Sequence, residues 1–365
     1  MDNVPYELLE KIVALYIEDL CPIPRRVTLP IDLALVDQRT LLAATRVSWR
    51  SILVDSPRYA ERLLEKAANI LGGKRLGEET RRLHIHSRSR PPEWHCLPDV
   101  LRAFPNLNTL SINFRHLTRG LVPRPWAPLG AAMLPYPAGL THLQLDEAPS
   151  VDEVAALSAS LPSLQFLGVH RVTSQSPPTT TTLHFPALTH LALGDHTFYH
   201  PRKEYGVLMA AFAVGGLMPK LEALELLHYA GDPRPLLARF GKQLKFLSYP
   251  TRPDDEGFLS QATPYDYDEE EVPLDLCPNI RTLRLFFHAT IVHGDHRQRS
   301  MRVEIVTINI VTPGGGKMTG GGERASSEEA SRRYEQVHRV CRMEGHSLEI
   351  VAYRGVWKDI CIIRK

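Results

Sequence analysis

The sequence predicts an α/β solenoid, an irregular arc of short parallel strands with helical returns, preceded by a small all-helical domain. Three observations predict it. A short phrase, in which a residue such as Pro stands two positions before an apolar anchor that is followed by x-x-Leu-x-apolar, recurs seven times between residues 105 and 285. Helix-like segments such as VDEVAALSASLP, EYGVLMAAFAVGGLMP and PRPLLARFGK lie between copies. Before residue 80 the texture differs, with apolar residues at helix spacing.

The head, residues 1–70, opens with a helix from Pro5 to Leu20, where Leu8, Leu9, Ile12, Val13, Leu15 and Tyr16 form a broad apolar face. Asn3 is the expected N-cap, and Pro5 falls in the first turn, where a missing N–H costs nothing. CPIPRRVTLP then breaks the helix. A second helix is expected over DQRTLLAATRVSWRSILVDSP, with Leu42, Trp49, Ile52 and Leu53 on one face and Pro57 closing it. A third, RYAERLLEKAANIL, ends at Gly72-Gly73.

The repeat occupies residues 80–355. Its clear copies are FPNLNTLSI, PAGLTHLQL, LPSLQFLGV, FPALTHLAL, MPKLEALEL, GKQLKFLSY and CPNIRTLRL, with anchors Leu107, Leu140, Leu164, Leu188, Leu221, Leu244 and Ile280. Weaker copies are TRRLHI, MRVEIVTIN (anchor Val303) and GHSLEIVAY (anchor Leu348). In each unit the two residues after the anchor's x-x are two apart, so both lie on one side of a short strand while the anchor packs in the preceding turn. No unit buries its apolar side alone, so neighbours must stack.

Composition narrows the function. Lys+Arg 43 against Asp+Glu 41 leaves a net charge of +2, which gives no steering toward nucleic acid or an anionic membrane. The five cysteines, Cys21, Cys96, Cys277, Cys341 and Cys361, are scattered and contain no C-x-x-C pair. The acidic N-terminus MDNVPYELLEK is unlike a signal peptide, and the longest apolar run, VLMAAFAVGGLM, is short of the roughly 20 residues that span a bilayer. The expected location is the cytosol or nucleus.

The phrase resembles the leucine-rich repeat family, although the Asn or Cys that bonds neighbouring turns in that family is missing after Ile112, Leu145 and Leu193. The head resembles an F-box. VPYELLEKIVALYIEDL matches its opening at Pro5, Glu7, Leu8 and Ile12, and LLAATRVSWRSILVDSP matches its second helix at Val47, Trp49 and Arg50, with two residues fewer between Val47 and Trp49. The resemblance implies a substrate-recognition subunit of an SCF-type ubiquitin ligase, partnered by a Skp-type adaptor and the cullin core. The adaptor contacts it implies are Pro5, Leu8, Leu9, Ile12, Leu42, Val47, Trp49 and Ile52, and the repeats would hold a target protein. The alternative is an interaction scaffold whose head only caps the solenoid.

No chemical motif argues for an enzyme. VTPGGGKMTGGGE has Gly316-Lys317 followed by Met318, not Ser or Thr, and Thr312 where a phosphate loop needs glycine. Residues 313–323 read as a flexible insertion ahead of a helical pattern, SSEEASRRYEQVHRVCR. His84 with His86, and His293, Asp295 and His296, lack a third or fourth ligand at metal spacing. There is no G-x-S-x-G and no H-E-x-x-H. The acidic run PYDYDEEEVP reads as a solvated loop. The expectation is no catalytic residue, no cofactor and no metal.

The strand residues that point away from the leucines remain as the target surface. Two positions after each anchor stand Thr109, His142, Phe166, His190, Ala223, Phe246 and Thr282. Four after stand Ser111, Gln144, Gly168, Ala192, Glu225, Ser248 and Arg284. His142, Phe166, His190, Glu225, Phe246, Arg284 and Phe286 have the aromatic-plus-charge mix of a binding patch.

Overall fold

The structure, a computed structural model, describes residues 4–20, 37–71, 73–87, 94–114, 135–148, 150–172, 182–194, 204–226, 233–250, 272–292, 299–311 and 347–360. The glycine-rich stretch 313–323, the helix expected after it, the acidic run up to residue 271 and the 293–296 histidine group lie outside them. The fold is α/β with mostly parallel strands, in two compact units. Unit 1 comprises Met1–Leu188 with Leu217–Pro219, and unit 2 comprises Thr189–Gly216 with Lys220–Lys365.

Unit 1 begins with α1 (Tyr6–Leu20) and α2 (Gln38–Arg50). Pro5 is the residue just before α1, and its carbonyl accepts from Leu8 N and Leu9 N at 3.1 and 3.0 Å. The expected cap, Asn3, is outside the described residues. Asp37 caps α2, its carboxylate accepting from Thr40 N at 2.6 Å. Leu9 and Val13 of α1 pack on Ala43, Ala44 and Val47 of α2.

The expected second helix is too long. It stops at Arg50, and Ser51–Val54 is strand β1, parallel to β2 (Arg82–Ser87) with Ile52 opposite Leu83 and Val54 opposite Ile85. The third helix, α3 (Pro57–Ala67), also ends early, and Ile70–Leu71 pairs with Lys74–Arg75. Next come β3 (Thr109–Phe114), α4 (Leu97–Ala103) ahead of it, β4 (His142–Ala148), α5 (Val151–Ser160) and β5 (Phe166–Val172). Strands β1 to β5 run parallel in chain order.

Unit 2 holds β6 (His190–Leu193), α6 (Glu204–Gly215), β7 (Ala223–Leu226), α7 (Arg234–Phe240), β8 (Phe246–Pro250) and β9 (Thr282–Val292), with the four strands parallel. The last two, β10 (Arg299–Val311) and β11 (Ser347–Ile360), correct an expectation. Both weak copies are strands, but β9, β10 and β11 pair antiparallel and do not extend the parallel series.

One backbone device recurs where the phrase occurs. The anchor N–H donates to the carbonyl three residues earlier: Leu107 to Phe104, Leu140 to Pro137, Leu164 to Leu161, Leu188 to Phe185, Leu244 to Gly241, Ile280 to Cys277. The first and last residues of each turn are buried, and the middle two stand toward water. Pro presets the second turn position in four of these turns, at Pro105, Pro162, Pro186 and Pro278. The residue after the anchor then offers its carbonyl to two N–H groups of the next unit. Asn108 O receives Thr141 N and His142 N, and Glu222 O receives Lys245 N and Phe246 N. This backbone ladder connects neighbouring turns through main-chain groups.

The same device reaches back into the head. Thr80 N donates to Gly77 O, and Arg81 N donates to Arg50 O, so Thr80 and Trp49 hold the anchor position of β2 and β1. Trp49 is 3% exposed and Ile52 0%. At Gly77 and Gly241, each the first residue of a turn, the neighbouring chain passes so close that a Cβ would overlap the carbonyl oxygen of Ala103 or of Leu276.

Candidate functional site

The head presents one apolar face inward and another outward. On α1, Leu9 and Val13 are buried, whereas Leu8, Ile12 and Leu15 are 49%, 52% and 63% exposed. The spacing of the exposed set, 8, 12 and 15, places them in one stripe along the helix. Leu41 of α2 is 37% exposed, Pro5 is exposed and Leu42 half-buried. Of the residues proposed as adaptor contacts, Pro5, Leu8 and Ile12 are thus on the surface. Leu9, Val47, Trp49 and Ile52 are buried in the unit's own core and are not surface contacts, because they pack α1 on α2 or fill the first strand.

Charged groups fix α1 against α2. Glu10 pairs with Arg46 at 3.6 Å and with Arg50, and Arg46 reaches on to Glu79 at 3.5 Å. The Arg46 guanidinium lies 5.7 Å from the Tyr6 ring centroid. Burial, partly offset by the Arg46 charge, raises the Tyr6 pKa. Arg39 Nη2 donates to Val4 O at 2.8 Å, tying the chain ahead of α1 to α2.

On the strand face of unit 1, register sets Thr109 opposite His142 and His142 opposite Phe166, with Ser111, Gln144 and Gly168 alongside. The His142 and Phe166 rings stack at 5.9 Å and 17°. Ser111 Oγ is 3.4 Å from Gln144 Oε1. Gly168 leaves the space Phe166 fills: a Cβ there would sit 3.2 Å from the ring and 3.3 Å from Gln144 Cγ. His84, opposite Ser111, is held below its ordinary pKa by burial, with the Arg82 charge adding.

Unit 2 has a matching pair of columns, His190, Ala223, Phe246, Thr282 and Ala192, Glu225, Ser248, Arg284. Glu225 Oε1 lies 3.0 Å from His190 Nε2 and 3.8 Å from Arg284 Nη1. Arg284 covers the Phe246 ring at 5.1 Å, and His190 is tilted against the same ring at 6.2 Å. Four of the expected target-binding residues therefore meet in one cluster. Phe286 is placed by its backbone between Pro250 and Ile305. Ser248, absent from the expected binding patch, sits in register between Glu225 and Arg284 and is fully buried.

Among the described residues no group of three or more His, Cys, Asp or Glu is close enough to hold a metal ion, and no helix is long and apolar enough to cross a membrane. Cys277 is buried, and burial pushes its thiol pKa up to about 12, the opposite of an activated nucleophile. No family model matches the chain, and no curated protein matches its sequence.

Proposed function

We propose that this protein is a substrate-recognition subunit of an SCF-type ubiquitin ligase, an F-box head joined to an irregular leucine-rich repeat arc. The outward stripe of α1 docks on a Skp-type adaptor, and the polar-aromatic strand face holds the target. The protein needs no chemistry of its own in this role, since it only brings the target near the ligase core. The observation that carries the reading is the stripe Leu8, Ile12 and Leu15, three large apolar side chains left half or more exposed on the helix that resembles the F-box opening. Each such side chain gains about 1.5–3 kcal/mol when fully buried, which a partner can supply.

The test is capture by purified Skp-type adaptor of the full chain and of Leu8→Asp/Ile12→Asp. Point variants are the right tool, because deleting the head also removes β1 and Trp49 from the sheet. The expected result is loss of capture with the melting temperature unchanged. Equal capture by both chains refutes adaptor docking.

A second reading draws support from β1. A head that supplies the first strand and the first anchor covers the end of a stacked array, as terminal repeats require. Under it the protein is an interaction scaffold, and neither chain captures the adaptor.

A further inference from the structure

In the unit 2 cluster, Arg284 has no hydrogen-bond acceptor among the described residues. Its guanidinium carries five N–H donors and no acceptor capacity. Glu225 stands 3.8 Å away, an ion pair beyond hydrogen-bond length, and its Oε1 atom is closer to His190 Nε2. No described residue accepts a hydrogen bond from Arg284, whose side chain remains 37% exposed. The Phe246 ring lies beneath it, its centroid 5.1 Å from the guanidinium carbon. Beside it, one strand over, the Ser248 hydroxyl is fully buried and has no hydrogen-bond partner among the described residues.

We propose that Arg284 and Phe246, beside the buried Ser248, form a carboxylate-binding subsite, which receives an Asp or Glu side chain of an extended segment of the partner protein. The inference rests on the reading of the strand face as the target-binding surface. It goes further by naming what that surface selects.

Three features of the cluster decide the ligand class. Glu225 already faces two cationic or cation-forming groups, so the site has no call for a basic ligand, whereas Arg284 lacks an acceptor. A guanidinium resting over a ring has fewer orientations open to it, and a planar carboxylate takes two of its donors at once. Little side-chain freedom is lost on binding, since the ring has restricted it beforehand. Glu225 also sets an upper limit on ligand charge. A carboxylate brings one negative charge to a cluster of one guanidinium and one carboxylate, but a phosphate monoester would bring nearly two beside Glu225. Phe246 gives the rest of the acidic side chain an apolar wall.

The test uses the full chain as bait for a displayed library of random peptides. The best binder is then resynthesised with Glu, Gln or phosphoserine at its acidic position. Affinities are measured by fluorescence anisotropy on the wild type and Arg284→Gln. The expected binders share one Asp or Glu position, and Glu→Gln in the peptide weakens binding to the wild type about tenfold but barely affects Arg284→Gln, which has lost the charge and the fork. Binders without an acidic position, or an equal Glu→Gln effect on wild type and Arg284→Gln, overturn the subsite and leave the strand face standing. Tighter binding of phosphoserine than of Glu also overturns it, in favour of a phosphopeptide site. If no selected peptide is weakened by Phe166→Ala or Phe246→Ala, or none is selected, the strand-face reading fails and the subsite with it. The Glu, Gln and phosphoserine comparison is run on the wild type, so that part of the answer does not depend on any variant folding.

Discussion

Replacing Trp49 with Ala separates the two roles open to that residue. As a docking contact its loss would weaken a partner and leave the fold alone. In the structure Trp49 is 3% exposed and holds the anchor position ahead of β1, whose Ile52 and Val54 are both fully buried. Truncating a core tryptophan costs about 3–5 kcal/mol, from lost transfer energy and the cavity left behind. That is a large share of the roughly 5–15 kcal/mol that stabilises a typical domain. At about 2–4 °C per kcal/mol for a unit of this size, the melting temperature should fall by about 6–20 °C. Far-ultraviolet circular dichroism is the suitable probe, since tryptophan fluorescence would change through loss of the fluorophore alone. A melting temperature within a degree or two of wild type would refute the assignment of Trp49 to the core, and lost adaptor capture beside it would restore the docking role.

Single sites give three further outcomes. Gly241→Ala forces a Cβ into the Leu276 carbonyl oxygen, so denaturant unfolding should show a loss of about 1–3 kcal/mol. His84 is depressed below the ordinary histidine value of 6.5 by burial, so the unfolded chain takes up its proton first. The stability His84 contributes is present above pH 6.5 and lost as pH falls below it, and His84→Gln should flatten the decline in melting temperature between pH 7.5 and 5.5. Asp37→Ala removes the cap of α2 and should lower the stability at neutral pH. Because hydrogen bonds from Thr40 hold that carboxyl below 3.8, the difference from wild type should persist above pH 3.8 and vanish as acid protonates it, as seen in paired denaturant titrations.

The turns and strand columns were legible because the constraints behind them are local. A Pro at the second position of four turns, and a buried residue on either side of two more open ones, mark the turns, and alternation then dictates which strand residues share a face. Register follows from the anchors, so His190, Ala223 and Phe246 could be aligned by counting. The start of the array was not legible. In WRSILV and GEETRRLHI the anchor is Trp49 or Thr80 in place of leucine, and the spacing of Leu42, Trp49 and Ile52 suits a continuing helix as well as a strand. Burial in the sheet decides between them. Strand direction at β10 and β11 was equally hidden, since an alternating sequence specifies faces and not the sense of pairing. At the candidate site the columns named Glu225, Phe246 and Arg284. The significance of Ser248 depends on a buried hydroxyl lacking a partner, which no spacing reveals.

The short Val47-to-Trp49 interval, two residues fewer than in the F-box pattern that the proposed function invokes, has a physical reading once β1 is seen. Shortening a helix by two residues rotates every later side chain by about 200° at 3.6 residues per turn, enough to move a tryptophan off a face it would otherwise share. Here the rotation costs nothing, because the helix ends at Arg50 and Trp49 is handed to the sheet as an anchor. The head therefore has no need of Trp49 for an outer surface, and α1 alone provides one. That helix is held from behind by Leu9, Val13 and the Glu10, Arg46 and Glu79 pairs, all on the side away from the exposed stripe. The assembly then has two separate faces: α2 leads into β1, which pairs with β2, and α1 turns Leu8, Ile12 and Leu15 outward. A change on the outer face should be felt by a partner, and a change on the inner face by the fold.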